Sequence, residues 1–293
     1  MAIDLKGKNS TEILEYFENL DVDDGEILEL ELLESDIDSI GYKSFVDLAQ
    51  IYFMKMLTPI TNNDGSVILK FVKLNQESSF HKDEKSSEKY GVDSEFFNID
   101  KNAQFSFLYH YQKALEFINV KEKKRILNLG VNKGDEFKVI KDMISDDEFK
   151  TKELVGIDYS ETVIKYAKDS FSDSNIEFIS HNINKLDELD IGEFDLIVSI
   201  GTLQSSNINF NERFMDIYQN YLKKDGAMVL GFPNCRWIDG EMLYGAKAPN
   251  YPFSELSLVL KDIHFCKKYM QQKKYRVVIT GKDYLFLTAR KII

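Results

Sequence analysis

Residues 125–137 read RILNLGVNKGDEF and residues 153–160 read ELVGIDYS, and these two stretches decide the fold. RILNL is a short apolar run of the kind that forms a strand covered on both faces, GVNKG is a turn bounded by Gly130 and Gly134, and from Asp135 the chain takes up a helical rhythm. A strand feeding a glycine turn and then a helix, followed by a second apolar strand that closes on Asp158, predicts the opening of a parallel α/β sheet. The two glycines let the backbone turn sharply and come close to a ligand, since a Cβ would obstruct either.

The alternation continues downstream. IEFISHNI (176–183), FDLIVSIG (194–201) and GAMVLGF (226–232) predict the third, fourth and fifth strands, with helices between them. In an open parallel sheet the carboxyl ends of the strands line the ligand crevice. Gly130, Asn132, Gly134, Asp158, Tyr159, Asn182, Ile183 and Ser199 all fall at such ends and form the candidate cofactor-binding set. Asp158 stands where a carboxylate can accept hydrogen bonds from both hydroxyls of a ribose.

Upstream, STEILEYFENL (10–20) predicts a short amphipathic helix with a Ser/Thr cap, and GEILELELLES (25–35) alternates as a half-buried strand with Leu28, Leu30 and Leu32 on one face. YKSFVDLAQIYFMKML (42–57) predicts a helix, and VILKFVKL (67–74) a further strand, so residues 1–78 read as a small acidic α+β unit. Residues 79–104 are expected to be a linker or cap, and residues 105–293 a single α/β domain. Within the latter, YRVVITGKDYLFLTARKI (275–292) predicts a terminal hairpin, and SELSLVLKDIHFCKKYMQQ (254–272) a serine-capped helix with Leu256, Leu260, Ile263 and Tyr269 on its apolar face.

The 293 residues are 43% apolar and 13% aromatic, with no apolar run long enough to span a bilayer. The opening MAIDLKGKNSTEIL lacks the pattern of a secretory signal, so a cytoplasmic location is the expectation. Two cysteines and four scattered histidines make no metal-ligand spacing, and no metal is expected. The net charge of −12 is concentrated at the front: residues 1–100 carry 22 acidic and 9 basic side chains, a balance of −13. Phosphate contacts need clustered Lys and Arg, so this front weighs against nucleic acid as a partner. Lys261 to Lys291, with nine basic and two acidic residues, carries a local +7.

With these segments in view, the chain resembles the class I methyltransferases over about residues 105–293. ILNLGVNKG corresponds to their glycine-rich first motif, VGIDYS to the acidic second and FDLIVSIGTLQ to the fourth; YLKKDGAMVLGF and YRVVITGKDYLFLTARKI resemble the fifth-strand segment and the terminal hairpin. The resemblance implies a Rossmann-like seven-stranded sheet, mainly parallel with an antiparallel C-terminal hairpin, and S-adenosyl-L-methionine as cofactor. Three positions depart from the family pattern: Asn128 replaces the usual acidic residue and Asn132 the middle glycine of the first motif, and Asn182 replaces the acidic residue that often meets the adenine amino group. Asn tolerates a left-handed backbone, and its side-chain carbonyl still accepts a hydrogen bond.

A dinucleotide is disfavoured, because GxGxxG is absent and Asp135 and Glu136 occupy the helix N-terminus that a pyrophosphate would seek. Methyl transfer is an in-line displacement governed by alignment, so it needs no conspicuous catalytic residue. Tyr90, His110, Tyr111, Gln204, Trp237 and Tyr244 are the candidates for acceptor contact or proton removal. The loop Cys235 to Phe253 is expected to wall the acceptor pocket. A small-molecule acceptor is the leading expectation; an RNA or tRNA methyltransferase and a non-catalytic scaffold retaining the fold are the alternatives. The N-terminal unit is open to two roles, covering the acceptor or forming a homo-oligomer contact.

Overall fold

The computed structural model describes residues 2–78, 91–246 and 253–292. By contact the chain divides into two units, Met1–Ser79 with Trp237–Leu243, and Phe80–Arg236 with Tyr244–Ile293.

The first unit runs β1 (Ile3–Asp4), α1 (Ser10–Glu18), β2 (Ile27–Leu33), α2 (Glu34–Ile40), α3 (Tyr42–Ile51), β3 (Met54–Met56), β4 (Ile60–Thr61) and β5 (Ser66–Lys73). Its sheet has the order β1-β2-β5-β3, with β4 also paired to β5. The alternation of β2 buries Leu28, Leu30 and Leu32 against Phe17, Phe45 and Phe71, as its pattern requires. Helix α1 is capped by Asn9 rather than by the Ser/Thr pair: Asn9 Oδ1 accepts from the N–H groups of Thr11 and Glu12, and Glu12 closes a capping box. The helix expected over 42–57 ends at Ile51. Phe53 takes a left-handed backbone (φ 56°), and Met54–Met56 pairs with β5 instead. Sheet pairing there overrides a helical spacing of apolar residues.

The second unit runs α4 (Phe105–Phe117), β6 (Arg125–Leu129), α5 (Asp135–Met143), α6 (Asp146–Lys150), β7 (Glu153–Asp158), α7 (Glu161–Ser170), β8 (Ile176–Ser180), β9 (Phe194–Ile200), α8 (Phe210–Asn220) and β10 (Leu222–Pro233). The chain continues with the short pair β11 (Cys235–Ile238) and β12 (Glu241–Tyr244), of which Trp237–Leu243 belongs by contact to the first unit, and the second unit resumes with α9 (Ser257–Gln272), β13 (Tyr275–Gly281) and β14 (Tyr284–Lys291). The seven-stranded sheet has the order β13-β14-β10-β9-β6-β7-β8. Strands β8, β7, β6, β9 and β10 are parallel, whereas β14 is antiparallel to both β10 and β13. This is the Rossmann-like sheet with a C-terminal antiparallel hairpin that the sequence implied. The chain lays β6, β7 and β8 toward one edge, then returns past β6 to add β9 and β10, so the order reverses at β6 and opens a crevice at the carboxyl ends.

Two local readings change. Helix α9 begins after Leu256 without a side-chain cap, and Val259, Ile263, Cys266 and Met270 are its buried positions while Leu256 and Leu260 are exposed. The i, i+4, i+7, i+11 series beginning one residue earlier than Leu260 wins because it places four apolar side chains, not two, on the sheet. The segment after β10 is not an irregular loop in its first half, since β11 and β12 form a two-stranded ladder there. Among the described residues no helix is long and apolar enough to cross a membrane.

Candidate functional site

The crevice is built on the loop between β6 and α5. Gly130 (φ 76°), Asn132 (φ 45°) and Gly134 (φ 84°) are all left-handed. Asn132 therefore adopts the backbone that a glycine would otherwise supply, and it is stabilised there because its N–H donates to Asp158 Oδ2 at 2.9 Å and its Oδ1 accepts from the Lys133 N–H at 2.8 Å. The glycines serve packing as well as conformation. A Cβ at Gly130 would lie 1.8 Å from Thr202 Oγ1, and one at Gly134 would lie 2.5 Å from the Phe171 ring. The close approach they permit is that of neighbouring protein side chains.

Asp158 ends β7 and is buried at 9% exposure. Its Oδ2 holds the Asn132 N–H at 2.9 Å and its Oδ1 accepts from the Ser160 N–H at 3.2 Å. Burial pushes this carboxyl above its ordinary range; the N–H groups of Ser160, Asn132 and Tyr159 pull it partly back, and the charge of Glu136 adds to the rise. Tyr159 beside it is 55% exposed.

Asn182 caps the short kinked 3-10 segment Ile183–Glu188, with Oδ1 accepting from the Asn184 N–H at 2.9 Å, so one lone pair of the expected adenine partner is already used. Ile183 is buried beside it. Ser199 donates to the Leu129 carbonyl at 3.1 Å across β9 and β6, and thus locks the two strands together at the crevice floor. These contacts bring residues 130–134, 158–160, 199 and 202 together, although they span some seventy positions of sequence.

Asp135 and Glu136, in the first turn of α5, are both buried, and each meets lysines that were not anticipated. Lys101 Nζ lies 2.8 Å from Glu136 Oε1, and Lys138 Nζ 3.2 Å from Asp135 Oδ1. Lys101 comes from the segment Gly91–Gln104, which is fastened to the glycine loop and its surroundings at several points. Lys133 Nζ donates to the carbonyls of Phe97 (3.0 Å) and Ile99 (2.9 Å), Asn102 Nδ2 donates to the Asp135 carbonyl (3.0 Å), and Phe97 meets the Tyr166 ring edge-on. No motif pointed to Lys101, because an isolated lysine in a polar stretch carries no pattern.

Of the catalytic candidates, Tyr90 lies outside the described residues. His110 is half-buried on α4 with its ring against Tyr109; Tyr111 is fully buried between Phe107 and Phe286. Gln204 is half-buried, with Oε1 shielded and without a partner. Trp237 is buried and belongs by contact to the first unit, whereas Tyr244 is 44% exposed at the end of β12. Of the expected wall 235–253, residues 237–243 thus belong by contact to the first unit and 235–236 and 244–246 to the second, while 247–252 lie outside the described residues.

The donor and acceptor set suits S-adenosylmethionine. Asp158 offers two acceptor oxygens to a ribose. Tyr111 Oη, Asn128 Oδ1, Asn132 Nδ2 and Gln204 Oε1 are buried polar atoms without partners among the described residues, a demand that a polar ligand would fill.

Residues 120–280 match the methyltransferase-domain family. No curated protein matches the chain. Among solved structures, an S-adenosylmethionine-dependent methyltransferase from Aquifex aeolicus aligns at 14% identity over 71% of this chain and 100% of its own, with a TM-score of 0.46. The plantazolicin methyltransferase BpumL, in complex with a pentazolic desmethylPZN analog and S-adenosylhomocysteine, aligns at 12% identity over 70% of this chain and 95% of its own, with a TM-score of 0.48.

Proposed function

The chain belongs to the methyltransferase-domain family and is an S-adenosylmethionine-dependent methyltransferase, and from that premise we propose that its acceptor is a small molecule. The cofactor supplies an electrophilic methyl group on a sulfonium. What this chain's own residues contribute is binding and alignment. Asp158 accepts the ribose hydroxyls, the left-handed loop 130–134 turns the backbone around the ligand, and Tyr159 offers an exposed ring to the adenine. These residues would hold the cofactor so that an acceptor heteroatom could approach the methyl carbon in line, and an acceptor's proton, where it has one, would pass to water.

The observation that carries the small-molecule reading is the state of the basic stretch near the C-terminus, which is where an RNA would have to bind. Arg276 and Arg290 both stack on Phe117, at 5.6 and 4.8 Å, Lys273 lies over Tyr269, and Lys291 lies over Tyr275 and donates to the Lys273 carbonyl. Four of the nine cations are thus laid on the protein's own rings. Together with the −13 of residues 1–100, this supports a surface that does not gather phosphates. A filter-binding assay with tRNA tests the proposal: negligible retention at physiological salt is expected. Sub-micromolar binding that weakens steeply with added salt would replace the small molecule with RNA.

A further inference from the structure

Position 128, where the family's first motif carries an acid, is occupied by a buried, neutral Asn128. The carboxylate beside it is Glu136: Asn128 Nδ2 donates to Glu136 Oε2 at 3.1 Å, and Lys101 Nζ lies 2.8 Å from Glu136 Oε1. Glu136 is 2% and Lys101 8% exposed. A buried ion pair of this kind is weak ground for stability, because well-packed apolar residues of the same size often do as well or better. Burial draws the Lys101 ammonium down, but Glu136, helped by Asp135 and Asp158, prevails and holds it above its usual value, so it is charged.

Buried polar atoms with no partner among the described residues lie on residues linked to the pair. They are Asn102 Oδ1, next in chain to Lys101; Asn128 Oδ1, on the residue bonded to Glu136; Tyr111 Oη, whose phenol burial and the Glu136 charge push far up and keep protonated; and Asn132 Nδ2, on the residue whose N–H meets Asp158. Each such atom is destabilising when left unmet in the interior. Lys101 Nζ itself has three hydrogens and, among the described residues, one bonded acceptor, Glu136.

The unmet demand is of both kinds. Lys101, Tyr111 and Asn132 have hydrogens to donate, whereas Asn102 and Asn128 have carbonyl oxygens to accept. A simple anion would satisfy only the first set and a cation only the second; a zwitterionic α-amino acid satisfies both, its carboxylate taking the donors and its ammonium the acceptors. Building on the cofactor assignment, we propose that Lys101, positioned by Glu136, recognises the carboxylate of the amino-acid end of S-adenosylmethionine and makes the protein discriminate it from nucleosides that lack that end. Lys101 lies before residue 120, where the family match begins.

The test compares S-adenosylhomocysteine with 5′-methylthioadenosine, which keeps the nucleoside and loses the amino acid, by calorimetry on the full chain. Lys101→Met alone would strand a buried carboxylate, so the informative variant is Lys101→Met with Glu136→Gln, which neutralises both partners at similar size. The expected result is a loss of S-adenosylhomocysteine affinity of about 10- to 150-fold, the range of one charge-assisted hydrogen bond, with 5′-methylthioadenosine changed by less than about twofold. Equal losses for both ligands, or no loss for either, would overturn the assignment of Lys101. So would wild-type protein that binds the two ligands equally well, with the cofactor reading left standing. Wild-type protein that binds neither ligand would overturn the cofactor reading and the Lys101 assignment with it.

Discussion

Asp158→Asn is the substitution whose outcome follows most directly from the geometry. Both carboxylate oxygens already hold backbone N–H groups, Asn132 at 2.9 Å and Ser160 at 3.2 Å. The carboxamide keeps the volume and one acceptor oxygen, but it turns an NH₂ toward one of those donors and removes the charge. A ribose then loses at least one charge-assisted hydrogen bond, so S-adenosylhomocysteine should bind about 1.5–3 kcal/mol more weakly, or about 10- to 150-fold. Asp158→Ala should lose at least as much affinity and also lower folding stability by ~1–3 kcal/mol, because the buried Asn132 N–H is left without an acceptor at a left-handed residue. Part of that cost is offset, since burial already disfavours the Asp158 charge. Calorimetry gives the affinities and thermal unfolding of the apo protein gives the stability. Unchanged affinity in both variants would refute the ribose assignment, and a fall in stability alone would reduce Asp158 to a loop staple.

Four further outcomes follow from the same contacts. Gly130→Ala should destabilise by ~1–2 kcal/mol from its left-handed backbone alone and by more from the clash with Thr202, and adding Thr202→Gly should recover only the second part in a denaturant titration. The raised Asp158 carboxyl favours the apo protein most below the ordinary value of about 3.9, and that contribution is lost as pH rises through the folded value, whereas the ribose needs the ionised form. S-adenosylhomocysteine should therefore raise Tm more near neutral pH than in the acidic range just above the ordinary carboxylate value, and a shift independent of pH would contradict this. Trp237→Ala should cost ~3–5 kcal/mol of stability because the ring is buried with the first unit, and cofactor affinity should be unchanged. Tyr244→Ala, at an exposed position, should leave stability within about 0.5 kcal/mol, so a large loss of folding there would show that the side chain is packed.

Much of the second unit was legible because its signals are local and physical. Strands covered on both faces leave unbroken apolar runs, and the turn that follows β6 needs left-handed residues that only Gly and Asn supply readily. The place of Asp158 at the end of β7 was legible because it follows such a run. The fate of Asn132 could be read the same way, from its tolerance of a positive φ. What escaped depends on contacts distant in sequence. Lys101 reaches Glu136 across 35 positions, and neither residue sits in a pattern that names the other. The end of α3 was misplaced because Met54–Met56 finds a partner in β5, which helical spacing cannot reveal. The face of α9 was misassigned because 256, 260 and 263 are also helically spaced, and only the sheet beneath decides between two overlapping stripes. Residues 237–243 fall in the first unit because Ile238 and Leu243 are buried with Leu74 and Phe53, a pairing distant in sequence that a run with two prolines and scattered charges hides.

The most direct measurement is a calorimetric titration of the full wild-type chain with S-adenosylmethionine and S-adenosylhomocysteine. One site per chain, with both ligands binding and each displacing the other, is the expected result. No heat and no rise in Tm up to ~1 mM of either ligand, a limit corresponding to about −4 kcal/mol of binding, would contradict it.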